Sequence, residues 1–184
     1  MKKRLLPDIL LLVALWVIVP FLLRAQELNK NIFSAGANQE ILIGYGNREG
    51  MEQDPFNRWF DQEYSSYQLN DTLIKMMAST CFSDVNITIV LGTWCSDSRR
   101  EVPRFFKVAD ALKIPEDHIR VIFVDRDKTS PEINLTKLKI DRVPVFIFYF
   151  SGKEAGRIIE RPEISLEADM KNILTKKYLI ELKM

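Results

Sequence analysis

The chain has 184 residues, 47% of them apolar and 28% charged, with a formal net charge of +1. That length suffices for one domain with a sizeable core, and the composition is that of a globular protein rather than a disordered one. Without residues 1–25, which hold four basic residues and one acid, the formal charge is −2, so the composition gives no reason to expect nucleic acid as a partner.

Met1-Lys2-Lys3-Arg4 precedes a nearly unbroken apolar run of fifteen residues, 9–23. This is the length of a signal-peptide core and is short of the roughly 20 residues that span a bilayer. Ala25 before Gln26 makes a passable small-residue cleavage site. Two readings follow: residues 1–25 are a cleaved signal peptide, or they are a retained anchor that meets the membrane only through 9–23. Both readings export the folded part, and the short Lys-rich start points to a bacterial periplasm or cell envelope.

Residues 26–37 are mostly polar or small and read as a tether. Residues 38–69 read as an extension packed on the main domain, which is expected over 70–184. Within the extension, Ile41-Leu42-Ile43 suggests a short strand, and Asp54-Pro55 suggests a cap followed by a first-turn proline. Phe56, Trp59, Phe60, Tyr64 and Tyr67 then share one helical face, which either packs on the core or binds a partner. Asn70 caps a helix in which Leu73, Ile74 and Met77 face inward.

The run from Val85 through Leu91 is rich in β-branched residues and reads as a buried strand that turns at Gly92. Beyond Cys95, the residues Val102, Phe105, Phe106, Ala109 and Leu112 recur at helical spacing, interrupted at Pro103. Residues 119–124 form a second strand, Ser130-Pro131 opens a short helix through Leu138, and 145–150 with 157–159 form a hairpin about Gly152. Ser165 caps a last helix that buries Leu166, Met170, Ile173 and Leu174. Helices joining parallel strands cover the faces of the sheet.

A cysteine where a helix begins meets unpaired N–H groups and the positive end of the dipole, which favour thiolate over a free thiol. Cys81 is not a disulfide partner for Cys95. The seven strand residues between them span about 23 Å, whereas bridged Cα atoms lie about 4.4–6.8 Å apart; Cys81 reads as a small apolar residue at a helix end. With one histidine, His118, and two separated cysteines, no metal-ligand cluster is visible. No cofactor is implied.

Trp94-Cys95 after a buried strand resembles the active-site start of the thioredoxin superfamily, whose usual motif is Trp-Cys-x-x-Cys. Pro103 matches the family's helix-kinking proline, Val143-Pro144 its cis-proline loop, and Ser151-Gly152-Lys153 the following hairpin turn. The resemblance covers about residues 70–177. It implies an α/β fold: a thioredoxin-like three-layer α/β/α sandwich with a mixed central sheet, extended here by the export segment and helical residues. It also implies Cys95 and Ser98 as the catalytic pair of positions, with Trp94, Ser96, Asp97, Arg142, Val143 and Pro144 contacting substrate. Protein thiols or disulfides, and low-molecular-weight thiols, are the expected partners.

The chain departs from the family twice. Ser98 stands where the second cysteine belongs, and Ile89 where the family carries a buried acid that assists proton transfer. A dithiol enzyme attacks with one sulfur and releases product with the other; Ser98, one turn along the helix on the same face, can donate a hydrogen bond but cannot resolve a mixed disulfide. Two functions fit these residues: a single-cysteine exchange protein, or a redox-inactive module that keeps the fold and peptide groove. Several neighbours carry two readings as well. Trp94 is a rim aromatic or packing, Asp97 a cap or a charge opposing thiolate, and Arg99 and Arg100 are thiolate partners or a solvated first turn.

Overall fold

The computed structural model describes residues 27–78, 82–131 and 133–181, with side chains through residue 175. Residues 1–25, expected to direct export, and Cys81 lie outside this set. Six strands form one sheet: β1 (Lys30–Ser34), β2 (Gln39–Gly46), β3 (Val85–Leu91), β4 (Ile119–Phe123), β5 (Val145–Phe150) and β6 (Lys153–Ile159). Their spatial order is β1-β2-β4-β3-β5-β6. Only β3 and β4 pair in parallel; the other neighbours are antiparallel, so the sheet is mixed.

Among the described residues, five helices accompany it: α1 (Arg48–Met51), α2 (Asn57–Ser66), α3 (Asp71–Met77), α4 (Ser96–Ala111) and α5 (Leu166–Glu181). Because successive strand residues point to opposite faces, β3 divides its apolar residues between two clusters. Ile87, Ile89 and Leu91 join the main core with Phe105 and Phe106 of α4 and Leu166, Met170, Ile173 and Leu174 of α5. Phe105 stacks on Phe146 with ring centroids 4.9 Å apart and meets Phe148 edge-on. Each such fully buried side chain contributes about 1.5–3 kcal/mol. Val90 looks the other way, into a smaller cluster with Ile122, Val124, Leu135 and Val143.

Three local expectations are corrected. Residues 30–34, read as tether, form the edge strand β1, in register with β2 from Lys30↔Ile43 to Ser34↔Gln39. Asn31 makes a cross-strand contact of a solvated edge, donating to Glu40, and just outside the two strands Asn29 exchanges hydrogen bonds with Asn47. Asp54-Pro55 caps no helix. That bond is cis, and a turn closed by Phe56 and Asn57 N–H on Gln53 O delays α2 until Asn57. Residues 130–138 contain an isolated bridge, Ser130↔Ile133, and one 3-10 turn, Thr136–Leu138, in place of the expected helix. There the Asn134 side chain takes the Thr136 N–H, a local bond that competes with helix. The layer over the second sheet face is correspondingly thin.

The remaining elements follow their residues. Asn70 Oδ1 accepts from Leu73 N and starts α3, and Ser165 Oγ accepts from Ala168 N and starts α5. Phe56 and Phe60 are buried, with Trp59, Tyr64 and Tyr67 packed against the same core. Those aromatics join α2 to α4, which answers the question about that face.

Candidate functional site

The site lies at the C-terminal end of β3, where the chain turns into α4. Gly92, Thr93 and Trp94 make the turn, and each is fastened to a different element. Thr93 is fully buried, and its hydroxyl accepts the Leu42 N–H of β2 at 3.1 Å. Trp94 folds back across Gly92 and donates its indole N–H to Val124 O at 2.9 Å. A side chain on Gly92 would collide with that indole: a Cβ there would run into Trp94 Nε1. Glycine is required here for close approach, not for an unusual φ.

Cys95 is the N-cap residue of α4, in extended conformation, with Arg99 N–H bonding back to its carbonyl. The sulfur is half-buried, and its S–H donates to Val143 O at 3.3 Å. Val143-Pro144 is a cis peptide, and Glu160 N–H closes on Pro144 O at 2.7 Å. Three sequence-predicted residues are therefore brought to one place: Cys95, Val143 and Pro144. Trp94 adjoins them in the smaller apolar cluster, where it is a partly buried packing residue.

The others are placed less simply. Ser98 is fully buried, and its hydroxyl accepts the Gly92 N–H at 3.4 Å; its recorded partner is the turn rather than the sulfur. Ser96 is exposed. Asp97 caps nothing; it pairs with Arg100 at 2.6 Å and lies 3.9 Å from Arg161. Arg142 is exposed and paired with Glu160 at 2.9 Å. His118 is remote from this turn, with Nδ1 3.1 Å from both Phe82 O and Val85 O at the start of β3. Ile89 is completely buried in the main core, so no ionisable side chain enters from that position.

Sequence reasoning left the roles of the two arginines open, and the structure separates them. Arg100 is consumed by carboxylates: hydrogen bonds to Glu101 and Asp97 outweigh its burial and raise it above the ordinary guanidinium value. Among the described residues, Arg99 has only neutral acceptors, Thr93 O at 2.6 Å and Gln39 Oε1 at 3.0 Å. Burial pulls it below its ordinary value, and the Cys95 charge works against that. Arg126, whose guanidinium lies 5.2 Å over the Trp94 ring, is a second cation that sequence alone does not assign.

A family model described as thioredoxin matches residues 45–172. The chain belongs to the thioredoxin family. Members of this family generally act on protein thiols or disulfides. The match begins within β2, so it takes in α1 and α2 as well as the elements around Cys95.

A curated relative, the mitochondrial thioredoxin O of Oryza sativa subsp. japonica, is 30% identical over 83 residues, which is 45% of each chain. The chain thus spans less than half the length of the curated relative it matches. Among solved structures, a protein of unknown function from Pseudomonas aeruginosa is similar at a TM-score of 0.43 and 13% identity, over 70% of this chain and 82% of that one. An HIV epitope-scaffold gives 0.40 and 12%, over 67% and 74%. Neither likeness carries weight for fold or function.

Proposed function

We propose that this is an exported thioredoxin-like protein in which Cys95 alone performs thiol-disulfide exchange. The observation that carries the reading is the seat of the sulfur. Cys95 occupies the N-cap position of a sixteen-residue helix and is partly open to solvent, and its sulfur lies 3.3 Å from the carbonyl that precedes the cis proline. A thiolate there meets unpaired helix N–H groups, and the Val143 backbone beside it, in the bend that leads into β5, is placed to pair with a client strand. Attack on a disulfide forms a Cys95–sulfur bond and expels the other half as thiolate. Ser98 offers no second sulfur, so an outside thiol completes the cycle. Clients are protein disulfides or low-molecular-weight ones, and the basic, apolar start of the chain supports a periplasmic or envelope location.

A second reading, a binding module without turnover, is favoured by one observation: both positions that support resolution, 89 and 98, are sealed in the interior as Ile and Ser. A trapping experiment separates the two. Envelope extracts are alkylated with the native chain or with Cys95→Ala present, and captured partners are compared on non-reducing gels. Exchange predicts partners that are covalent, reducible and absent with Cys95→Ala. Identical profiles would leave only the binding module.

A further inference from the structure

Arg99 is set apart from the other cations around Cys95. Arg100 is held by Asp97 and Glu101, Arg142 by Glu160, and Arg161 lies 3.9 Å from Asp97. Among the described residues, Arg99 and Arg126 have no carboxylate within 4.0 Å. Arg99 follows Cys95 by one helical turn, on the same face of α4. Its guanidinium is not free to swing away. Nε–H is fixed to Thr93 O, two residues before the sulfur, and a terminal N–H is fixed to Gln39 at the start of β2. A guanidinium carries five N–H donors, and those two bonds leave the remainder for an incoming anion. A thiolate at Cys95 would favour the charged form of Arg99.

We propose that Arg99, braced by Gln39 and Thr93, selects the disulfides that Cys95 attacks: those bearing a carboxylate or other anionic group beside the reacting sulfurs. Arg126 over Trp94 extends the same field along the loop. This rests on the exchange reading and adds a substrate class to it. In the step concerned, the Cys95 thiolate forms a bond to one sulfur of the anionic disulfide while the S–S bond breaks. The leaving half departs as a thiolate and takes a proton from water, so no further oxidant or reductant enters.

A unit charge about 6 Å from the guanidinium in water-like surroundings alters its local concentration by about threefold. An anion and a cation should therefore differ by about tenfold. The test uses the full chain, reduced, with three small disulfides at one pH: dithiodipropionate (anionic), hydroxyethyl disulfide (neutral) and cystamine (cationic). Adduct formation is followed by intact mass, and each rate is taken relative to that of 2-mercaptoethanol with the same disulfide, because the three leaving thiols differ in acidity.

The native chain should react in that order of rates at about 10 mM salt, and the spread should collapse near 1 M, where the screening length is about 3 Å. Arg99→Gln should bring the three rates within about threefold of one another, whereas Arg99→Lys should keep part of the order. Equal rates for the native chain at low salt would overturn the selection while leaving exchange standing, as would an undiminished order in Arg99→Gln. No adduct with any probe would overturn exchange itself. The salt series on the native chain stands even where a variant fails to fold.

Discussion

Gly92→Ala tests the packing of the turn that carries Cys95. Gly92 has no positive φ, so the backbone accepts alanine without conformational strain. The obstacle is the indole: the new methyl group would run into Trp94 Nε1 and sit 2.5 Å from Cε2 and 2.9 Å from Cζ2. If Trp94 stays, the overpacking costs about 1–3 kcal/mol. If it moves, the 2.9 Å bond to Val124 O is lost and a carbonyl on a fully buried residue goes unpaired, again about 1–3 kcal/mol. Either route destabilises by about 2 kcal/mol, which lowers a urea midpoint by about 1 M at a slope of about 2 kcal/mol/M.

Trp94→Ala provides the control, because it removes the atoms that collide. In that background Gly92→Ala should be neutral, or stabilising by about 0.4–1 kcal/mol through the stiffer unfolded chain. The assay is urea unfolding followed by far-ultraviolet circular dichroism on the four chains of the cycle, with a coupling of at least about 1 kcal/mol expected. An equal loss in both backgrounds would refute the account, since the strain would then lie elsewhere in the turn.

Three further predictions concern how the N-terminal elements are held. Arg48 is bound by Glu52 at 2.7 Å and Asp110 at 2.8 Å and lies 4.9 Å over the Tyr64 ring; burial opposes its charge, but those bonds prevail and raise it above the ordinary value. Arg48→Met keeps the apolar stem and should still cost about 1–3 kcal/mol in urea unfolding; no loss would mean that the aromatic packing of α2 suffices without the charge. The Glu167 carboxylate is almost fully buried and takes Tyr67 OH at 2.9 Å and Asn70 N–H at 3.0 Å, so Glu167→Ala should cost about 2–4 kcal/mol in the same assay. Burial first, and then the Glu167 charge, push the Tyr67 phenol well above its ordinary value; Glu167→Gln should therefore shift one phenolate to lower pH at 295 nm, and an unchanged titration would count against that pairing.

What was legible in the chain depended on local signals. The strand at 85–91 and the face of α4 were readable because burial on a sheet or helix imposes a period, and Val102, Phe105 and Phe106 all obey it. The turn at Ser151-Gly152 was readable because both residues take positive φ there, which few sequences tolerate. The β1 strand was not readable, since a solvated edge needs no apolar alternation and its Asn and Lys residues look like linker. At the site, spacing put Ser98 on the same helix face as Cys95, but only coordinates reveal that its hydroxyl turns to Gly92 N–H. The Arg99–Gln39 contact joins residues 60 apart in the chain, and no local pattern announces it.

Ser98→Cys asks whether one missing sulfur accounts for the whole departure from dithiol chemistry. Position 98 is fully buried, one turn beyond Cys95, and its oxygen sits 3.4 Å from Gly92 N. A thiol suits such a place, since cysteine behaves there as a small apolar residue. With the native chain, a preformed mixed disulfide on Cys95 should persist once outside thiols are removed, because Ser98 offers no sulfur and the described residues hold no second thiol. With Ser98→Cys, the introduced thiol should attack Cys95, form the intramolecular S–S bond and expel the bound group as thiolate. Ile89 provides no base to take the proton, so release should depend on spontaneous ionisation and rise about tenfold per pH unit until the buried thiol titrates. Release is read by intact mass over hours at pH 7, 8 and 9. An adduct that survives on Ser98→Cys at pH 9 would mean that the two positions do not face each other across the turn, and that the single-cysteine behaviour has a cause other than the absent sulfur.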